Sequence, residues 1–190
     1  MRVKDDKKHQ AICDAAIELI TTKGFADTSM SKIAKAANVS PATIYVYFEN
    51  KEDLLNKIYL YVKEQSSREL LKGVKGEMSV KEYIEKVWYN FYKYAKNNPV
   101  YFSFSEQFAN SPLVDGISKD EGLRYFQPII EIFERGKKEK VFKNIPLDVF
   151  YAFTFAPLVG LLKQPFGEDF KLTKKTLETV FDIAWDAVTE

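Results

Sequence analysis

Apolar residues recur every three or four positions through most of the chain, and no convincing run alternates at every second position. This spacing places apolar side chains on one side of an α-helix, whereas alternation would indicate a half-buried strand. The sequence therefore predicts an all-α fold of about nine helices. They are expected at residues 7–23, 30–37, 41–48, 51–74, 80–96, 100–108, 121–139 and 146–164, and from residue 173 to the end.

Start and stop signals divide the first 50 residues into three short helices. Gly24 is expected to end the first helix in the left-handed conformation, and Asn38 to occupy a tight turn after the second. Ser29 and Ser40 stand where N-caps are needed, and Pro41 suits the first position of a helix. Three short helices with a tight turn between the second and third are typical of a helix-turn-helix module.

The third predicted helix has two different faces. At 100° per residue, Ile44 and Phe48 point to the core, whereas Ala42, Thr43 and Val46 point away from it. An outward patch of Ala, Val and Thr is unusual on a solvated helix. It suits the major groove of DNA, where apolar groups meet thymine methyls and Thr can bond a base or a phosphate. A three-helix scaffold without DNA contact is the alternative.

The residues beside this patch can reach phosphates. Tyr45 and Tyr47 lie on the two flanks of the helix, and Lys51 starts the next one. The alternatives are a Tyr45 ring that packs partly in the core and a solvated Lys51. Residues 1–51 hold 8 basic and 6 acidic residues, a mild excess for a nucleic-acid binder. DNA contact is therefore expected from a few placed residues rather than from a broad positive field.

Residues 25–55 resemble the DNA-binding signature of TetR-family transcriptional regulators; they read FADTSMSKIAKAANVSPATIYVYFENKEDLL. The resemblance is specific over residues 12–55. It implies a homodimeric repressor that binds a palindromic operator in double-stranded DNA through residues 1–50. A second domain, residues 51–190, would bind a small-molecule effector, form the dimer and release the DNA.

The segment departs from the family pattern at five positions. Asn38 replaces a common Gly, Tyr47 a common His, Ser29 a Thr, Lys32 an acidic residue and Ser31 an Arg. These departures leave the fold signal intact, but the operator sequence does not follow from them. The DNA-binding residues predicted from the helical angles and the resemblance are Ser29, Ser31, Lys32, Ser40, Ala42, Thr43, Tyr45, Val46, Tyr47 and Lys51.

The second predicted domain is rich in aromatic residues between positions 88 and 155. The rings either fill a helical core or leave an apolar cavity, because many large rings pack a bundle imperfectly. We expect a cavity for a largely apolar or aromatic effector. Glu106 either pairs with a cationic ligand or is solvated. The predicted ligand-binding residues are Trp88, Phe91, Tyr92, Phe104, Phe108, Tyr125, Phe126 and Phe153.

The last two predicted helices carry more apolar residues than one buried stripe needs. A surface helix of a monomer shows a single stripe, so the excess predicts a homodimer seam. In many TetR relatives these two helices form the dimer, and here Pro157 is expected to kink the first of them. The predicted interface residues are Phe153, Ala156, Gly160, Leu177, Val180, Phe181, Ala184, Trp185 and Val188.

Several protein classes are disfavoured by what the sequence lacks. The longest nearly unbroken apolar run, residues 149–162, is shorter than the roughly 20 residues of a membrane span. The amino terminus lacks the apolar segment of a signal peptide, so a cytoplasmic protein without membrane contact is expected. One Cys and one His argue against disulfides and metal sites, and no cofactor is predicted.

Enzyme chemistry is disfavoured as well. We find no nucleophile motif, no phosphate loop and no acid pair facing a common apolar wall. A regulator that is not an enzyme is therefore predicted. The alternative is an apolar-ligand carrier or helical-bundle enzyme with a helix-turn-helix-like front.

Overall fold

The computed structural model describes residues 6–109, 116–163 and 172–190. These ranges contain eleven α-helices and no strand, apart from one isolated antiparallel bridge, so the all-α prediction is confirmed. The helices are α1 (Asp6–Lys23), α2 (Met30–Ala36), α3 (Pro41–Tyr47), α4 (Lys51–Leu70), α5 (Val80–Asn97), α6 (Pro99–Ala109), α7 (Gly116–Arg124), α8 (Gln127–Lys138), α9 (Leu147–Thr154), α10 (Ala156–Lys163) and α11 (Lys174–Val188).

Two predicted long helices are each divided near a proline. The segment predicted at 121–139 is interrupted between α7 and α8, where Pro128 lies in the first turn of α8. The segment predicted at 146–164 is interrupted at Phe155, two residues before Pro157. Proline lacks an N–H and crowds the carbonyl four residues earlier, which explains both interruptions.

The connections also differ from the prediction. Helix α4 ends at Leu70, before the predicted end at residue 74, and Gly73 follows in the left-handed region at φ +71°. The loop predicted at 110–119 is shorter, because α7 begins at Gly116. Its residues 110–115, and the loop predicted at 165–171, lie outside the described residues.

Two compact units make up the described part of the chain. Unit 1 comprises Met1–Gln65 and Asn98–Tyr125, and unit 2 comprises Ser66–Asn97 and Phe126–Glu190. Helix α4 begins in unit 1 and ends in unit 2. No other helix of the described ranges has residues in both units.

Aliphatic side chains form the centre of unit 1. Ile12, Ile33, Ile44 and Ile58 expose none of their surface. Aromatic rings pack against these isoleucines, and the ring centroid of Phe25 lies 5.4 Å from that of the fully buried Phe108. Helix α1 packs against α2 and α6, and the Tyr101 hydroxyl on α6 donates to the Asp14 carboxylate on α1 at 2.6 Å.

Aromatic rings form the centre of unit 2. The Phe142 ring centroid lies 5.9 Å from Phe133, 4.9 Å from Phe150 and 5.4 Å from Trp185. Gly136 is needed beside this cluster, because a Cβ there would lie only 2.4 Å from the Phe142 ring. The rings of unit 2 therefore hold one another in place.

Within the described ranges, no helix combines the length and the apolar composition that crossing a bilayer requires.

Candidate functional site

Side-chain caps fix the short helices α2 and α3. The Ser29 hydroxyl accepts a hydrogen bond from the Lys32 N–H at 3.3 Å, and the Ser40 hydroxyl accepts one from the Thr43 N–H at 3.1 Å. Asn38, in the turn between the helices, has φ +53°, a conformation that Asn tolerates better than most residues. The predicted caps and turn are confirmed.

Helix α3 has a buried face and an exposed face, as its helical angles predict. Ile44 and Phe48 are buried in unit 1, with 0% and 1% of their surface exposed. On the opposite side Ala42 is exposed, as are Tyr45 (56%) and Val46 (47%). Thr43 is half-buried, and its hydroxyl lies 2.8 Å from that of Ser40.

Tyr47 does not lie on an exposed flank, which corrects its assignment as a DNA contact. Only 7% of its surface is exposed. Its ring lies 5.8 Å from the imidazole of His9 on α1, and His9 stacks on Phe48 at 5.3 Å and 28°. Helix α1 therefore covers this flank of α3, which a single-helix projection cannot show.

His9 also adjoins the single cysteine. The Cys13 Sγ atom lies 3.9 Å from the His9 Nδ1 atom. Burial, with a smaller contribution from the Asp14 carboxylate, raises the pKa of Cys13 to about 12. The Cys13 thiol therefore stays protonated at neutral pH. Since the thiolate is the reactive form, Cys13 is better explained as an apolar core residue than as a redox sensor.

Two predicted DNA-binding residues, Lys51 and Lys32, have partners inside unit 1. The Lys51 Nζ atom donates to the Phe25 carbonyl at 2.6 Å and ties the start of α4 to the α1–α2 turn. The Lys32 Nζ atom donates to the Asp27 carbonyl at 2.6 Å. Because an ammonium carries three N–H groups, each has donors beyond these bonds. Ser29, Ser31 and Ser40, the predicted serine contacts, are exposed.

The connection from α3 to α4 is fixed by another cap. The Asn50 side chain accepts from the Asp53 N–H at 2.9 Å, and the Asp53 carboxylate accepts from the Glu49 N–H at 2.9 Å. Lys57 pairs with Asp53 at 2.8 Å, and its ammonium lies 5.6 Å from the centre of the Phe48 ring. These contacts set the position of the exposed face of α3 relative to α4.

Three of the predicted ligand-binding residues are core residues, which corrects their assignment. Trp88, Phe104 and Phe108 expose none of their surface. Phe104 stacks on Phe108 at 5.2 Å in unit 1, and the Trp88 indole N–H donates to the Thr154 carbonyl at 2.9 Å in unit 2. Of the other five, Phe153 is 55% exposed, and Phe91, Tyr92, Tyr125 and Phe126 are half-buried.

Glu106 has a charged neighbour in unit 1. Burial lowers the pKa of the Lys63 ammonium, and the Glu106 carboxylate partly opposes that shift. Glu106 is half-buried, and its carboxylate is close enough to this ammonium to interact with it.

Unit 2 contains a groove of about 510 Å³ that the sequence did not predict. It lies between the α4–α5 turn, α5 and α8, and its volume is in the range of small-molecule sites. Three separate segments supply its walls, and Tyr83 is the only aromatic residue among them, so the aromatic clusters of the sequence gave no signal. The lining residues are Leu71, Val74, Lys75, Gly76, Tyr83, Pro128, Glu131, Ile132 and Arg135.

Arg135 on α8 holds the α4–α5 turn against the groove. Its Nη1 atom donates to the Gly76 carbonyl at 3.0 Å, and its Nη2 atom donates to the Met78 carbonyl at 2.5 Å. The Glu139 carboxylate lies 3.5 Å from its Nε atom. Burial raises the pKa of Tyr83; Glu131 adds to this shift and Arg135 opposes it. The polar groups of the groove therefore lie close to one another.

Caps on either side of this turn fix its two helices. The Asn90 amide donates to the carbonyls of Leu70 and Lys72, both at 2.9 Å. At the start of α5, the Glu82 carboxylate accepts from the Ser79 N–H at 2.9 Å, while the Ser79 hydroxyl accepts from the Glu82 N–H at 3.3 Å. The end of α4 thus depends on side chains from α5 and α8.

Most of the interface residues predicted on α11 are core residues instead. The buried stripe of α11 packs inside unit 2, as where Phe181 lies 5.6 Å from Trp88. This placement corrects the assignment of Leu177, Phe181, Ala184, Trp185 and Val188.

The remaining predicted interface residues are at least partly accessible. Phe153 and Gly160 are exposed, and Ala156 and Val180 are half-buried. Two further apolar residues that the sequence did not single out are also exposed, Tyr151 (48%) and Ile183 (66%). Ile183 falls outside the stripe of α11, which is the signal that could have identified it.

Family models match both parts of the chain. Residues 12–58 match the model of bacterial regulatory proteins of the tetR family, and residues 80–189 match a tetracyclin repressor-like C-terminal domain. The chain belongs to the TetR family. It is a DNA-binding transcriptional regulator with a helix-turn-helix module, and its relatives are regulators rather than enzymes.

Individual proteins support the assignment of this regulator over its full length. A helix-turn-helix transcriptional regulator of Haemophilus influenzae is 26% identical over 189 residues, 98% of each chain. The crystal structure of a TetR family transcription regulator from Marinobacter aquaeolei superposes with a TM-score of 0.91 at 29% identity, covering 100% of both chains. A TetR family protein from Vibrio parahaemolyticus gives a TM-score of 0.84 at 28% identity, covering 96% of this chain and 99% of that one.

Proposed function

We propose that this regulator is a homodimeric repressor that binds a palindromic operator and leaves it when a small, largely apolar or aromatic effector binds. Residues 1–50 form the DNA-binding domain, and residues 51–190 form the ligand-binding and dimerisation domain. The single observation that carries the DNA-reading role is the exposed face of α3.

That face suits a major groove. Tyr45 and Val46 are about half exposed beside the exposed Ala42, so the helix presents methyl groups and a hydroxyl to its surroundings. The major groove admits an α-helix and displays thymine methyls, which apolar side chains contact. Lys32 and Lys51 retain donors for the phosphates that fix the position of the helix.

The exposed apolar residues of α9 and α11 support a homodimer. Phe153 and Ile183 expose 55% and 66% of their surface, and Ile183 falls outside the buried stripe of its helix. We place them, with Val180 and Gly160, in the seam between two copies. A two-fold axis then presents two α3 helices to two half-sites of a palindrome.

DNA binding can be tested by fluorescence anisotropy on duplexes from the region upstream of the regulator's own gene. The wild type is expected to prefer one such duplex over a scrambled one and to weaken steeply with salt as counterions are released. Val46→Asp should abolish the preference, whereas Leu123→Asp, which changes an equally exposed apolar residue (53%) of α7, should leave it unchanged. Equal effects of the two variants would contradict the assignment of α3.

The seam can be tested by light scattering. The double variant Phe153→Glu, Ile183→Glu should be monomeric, because two charges would then meet their copies across the axis. It should bind a full palindrome no more tightly than a half-site, while Leu123→Glu should remain dimeric. A double variant that stays dimeric would place the interface elsewhere.

Release by an effector has a thermodynamic signature. An effector shifts DNA binding only through its different affinities for the DNA-bound and free forms. Operator DNA must therefore weaken effector binding by the same factor by which the effector weakens DNA binding. Titrations in both directions measure the two factors, and unequal factors would contradict a two-state switch.

A further inference from the structure

We propose that the groove beneath the α4–α5 turn is the effector site and that it takes a small organic monoacid with an apolar body, whose carboxylate binds Arg135. The inference rests on the proposed function, because it presupposes that an effector exists. It adds the location of the site, the chemical class of the ligand and the side chain that senses it.

Apolar surface covers most of the groove. Leu71 and Val74 come from the α4–α5 turn, Tyr83 from α5, and Pro128 and Ile132 from α8. An apolar ligand body gains free energy when it leaves water against such walls. Leu71 and Val74 are half-buried and Pro128 is exposed, so the groove offers accessible apolar surface to a ring or a short alkyl chain.

The charges of the lining favour one negative charge on the ligand. Lys75 and Arg135 are positive and Glu131 is negative, so the lining carries one net positive charge. The planar guanidinium of Arg135 matches a carboxylate with two parallel hydrogen bonds. Glu131 would repel a second acidic group, so a monoacid is preferred over a diacid.

The two Nη atoms of Arg135 are bound to exchangeable partners. Their acceptors are the carbonyls of Gly76 and Met78, which are neutral. Hydrogen bonds between two charged groups are stronger than those to neutral acceptors. A carboxylate in the groove therefore competes with these carbonyls for the guanidinium, while Glu139 stays beside the Nε atom.

This exchange would act on the end of α4. The carbonyls that Arg135 holds belong to the turn that directly follows α4, and Asn90 holds the carbonyls of Leu70, the last residue of α4, and Lys72. Helix α4 begins three residues after Phe48, the residue that ends α3. Removing Arg135 from the turn would therefore change how α4 is anchored. Helix α4 follows directly after α3, the reading helix that is proposed to enter the major groove.

The test uses isothermal titration calorimetry on the full-length protein with matched probes. The probes are 4-phenylbutanoate and octanoate, each compared with the alcohol of the same carbon skeleton. Each acid is expected to bind about ten-fold or more tightly than its alcohol, as an ionic hydrogen-bonded pair provides. The diacid octanedioate should bind more weakly than octanoate.

Variants of the groove locate the binding. Arg135→Gln should abolish the preference for acid over alcohol, and Arg135→Lys should retain part of it. Arg124→Gln, which removes the same charge from an exposed position of α7, should behave as the wild type. Val74→Trp, which fills the groove without changing its charge, should weaken acid and alcohol alike. Circular dichroism confirms that each variant is folded.

Several outcomes would overturn the inference. They are undetectable binding of both acids, equal binding of acid and alcohol, or an acid preference that survives Arg135→Gln. Acid binding that depends on Arg135 but leaves operator affinity unchanged would overturn the effector role of the groove. Failure of the proposed function would give a different result. The protein would then show no preference for any upstream DNA duplex, even in the absence of the acid and alcohol probes.

Discussion

The two units are built around different kinds of core. Isoleucines make up much of the centre of unit 1, beside the buried pair Phe104 and Phe108, whereas the centre of unit 2 is a set of rings around Phe142 in mutual contact. A methyl group can shift slightly to accommodate a neighbour, but a ring enclosed by other rings cannot turn without moving them. Unit 2 should therefore respond more severely than unit 1 to small changes of volume.

The largest effect is expected for Phe142→Ala. Phe142 is 2% exposed and contacts three other rings, so its loss should lower the free energy of unfolding by about 3–5 kcal/mol. Urea denaturation followed by circular dichroism measures this. The control Tyr45→Ala changes a ring that is 56% exposed and lies outside the proposed seam, and it should cost about 0.5 kcal/mol or less in the absence of DNA. Similar losses for both would refute the ring-centred core.

A matched pair of glycine substitutions compares the two cores directly. The Cβ of Gly136→Ala would lie 2.4 Å from the enclosed Phe142 ring, and the Cβ of Gly122→Ala would lie 2.9 Å from the Tyr59 ring in unit 1. Overpacking at Gly136 should cost about 1–3 kcal/mol of unfolding free energy, and Gly122 should cost less. Gly76→Ala, with no atom within 4 Å of its Cβ and no left-handed backbone, is the control. A larger loss at Gly122 would reverse the comparison.

A smaller effect is expected from removing single hydroxyl groups on α3. Tyr45→Phe should weaken operator binding about five-fold, because a hydroxyl that bonds a phosphate contributes about 1 kcal/mol. Tyr47→Phe should leave affinity within about two-fold, since that ring is buried. Anisotropy titrations measure both, and thermal melts check the folds. If Tyr47→Phe were the weaker binder, the buried tyrosine would take part in DNA contact after all.

The smallest effect concerns acid sensitivity at the start of α5. Hydrogen bonds from the Ser79 hydroxyl and N–H lower the pKa of Glu82 below its usual 4.5. A carboxylate with a lowered pKa in the folded state stabilises the protein above the unfolded pKa, and the contribution is lost as pH falls through the folded pKa. The stability difference between wild type and Glu82→Gln should therefore shrink below about pH 4.5 in urea titrations. A difference that is constant with pH would exclude the ionised cap.

Local signals account for the parts of the fold that could be predicted. Gly24, Asn38 and the Ser40-Pro41 pair mark helix ends through the geometry of their own backbone, so a single sequence displays them. The exposed face of α3 followed from helical angles for the same reason. The division of the two long helices was not predicted, because apolar spacing continues across Pro128 and because Pro157 was expected only to kink its helix.

Partners across the fold account for the parts that could not be predicted. The spacing of Phe181 and Trp185 shows that one side of α11 is covered, but not whether the cover is this chain or a second copy. Tyr47 is buried because the ring of His9 on α1 packs beside it. The groove depends on hydrogen bonds from Arg135 to Gly76 and Met78, which precede it by 59 and 57 positions in the chain. Such pairings lie beyond the range of any local pattern.

His9 offers a spectroscopic consequence of the packing under α3. It is the only histidine of the chain, and its ring lies on that of Phe48, at the end of the reading helix. Its Cε1 and Cδ2 protons should therefore give a single pair of resonances in a histidine-labelled sample, displaced by the ring current of Phe48. Any movement of α3 relative to α1 would change the chemical shifts of these protons. The His9 signals of the unmodified protein could therefore report on α3 while operator DNA binds and is released.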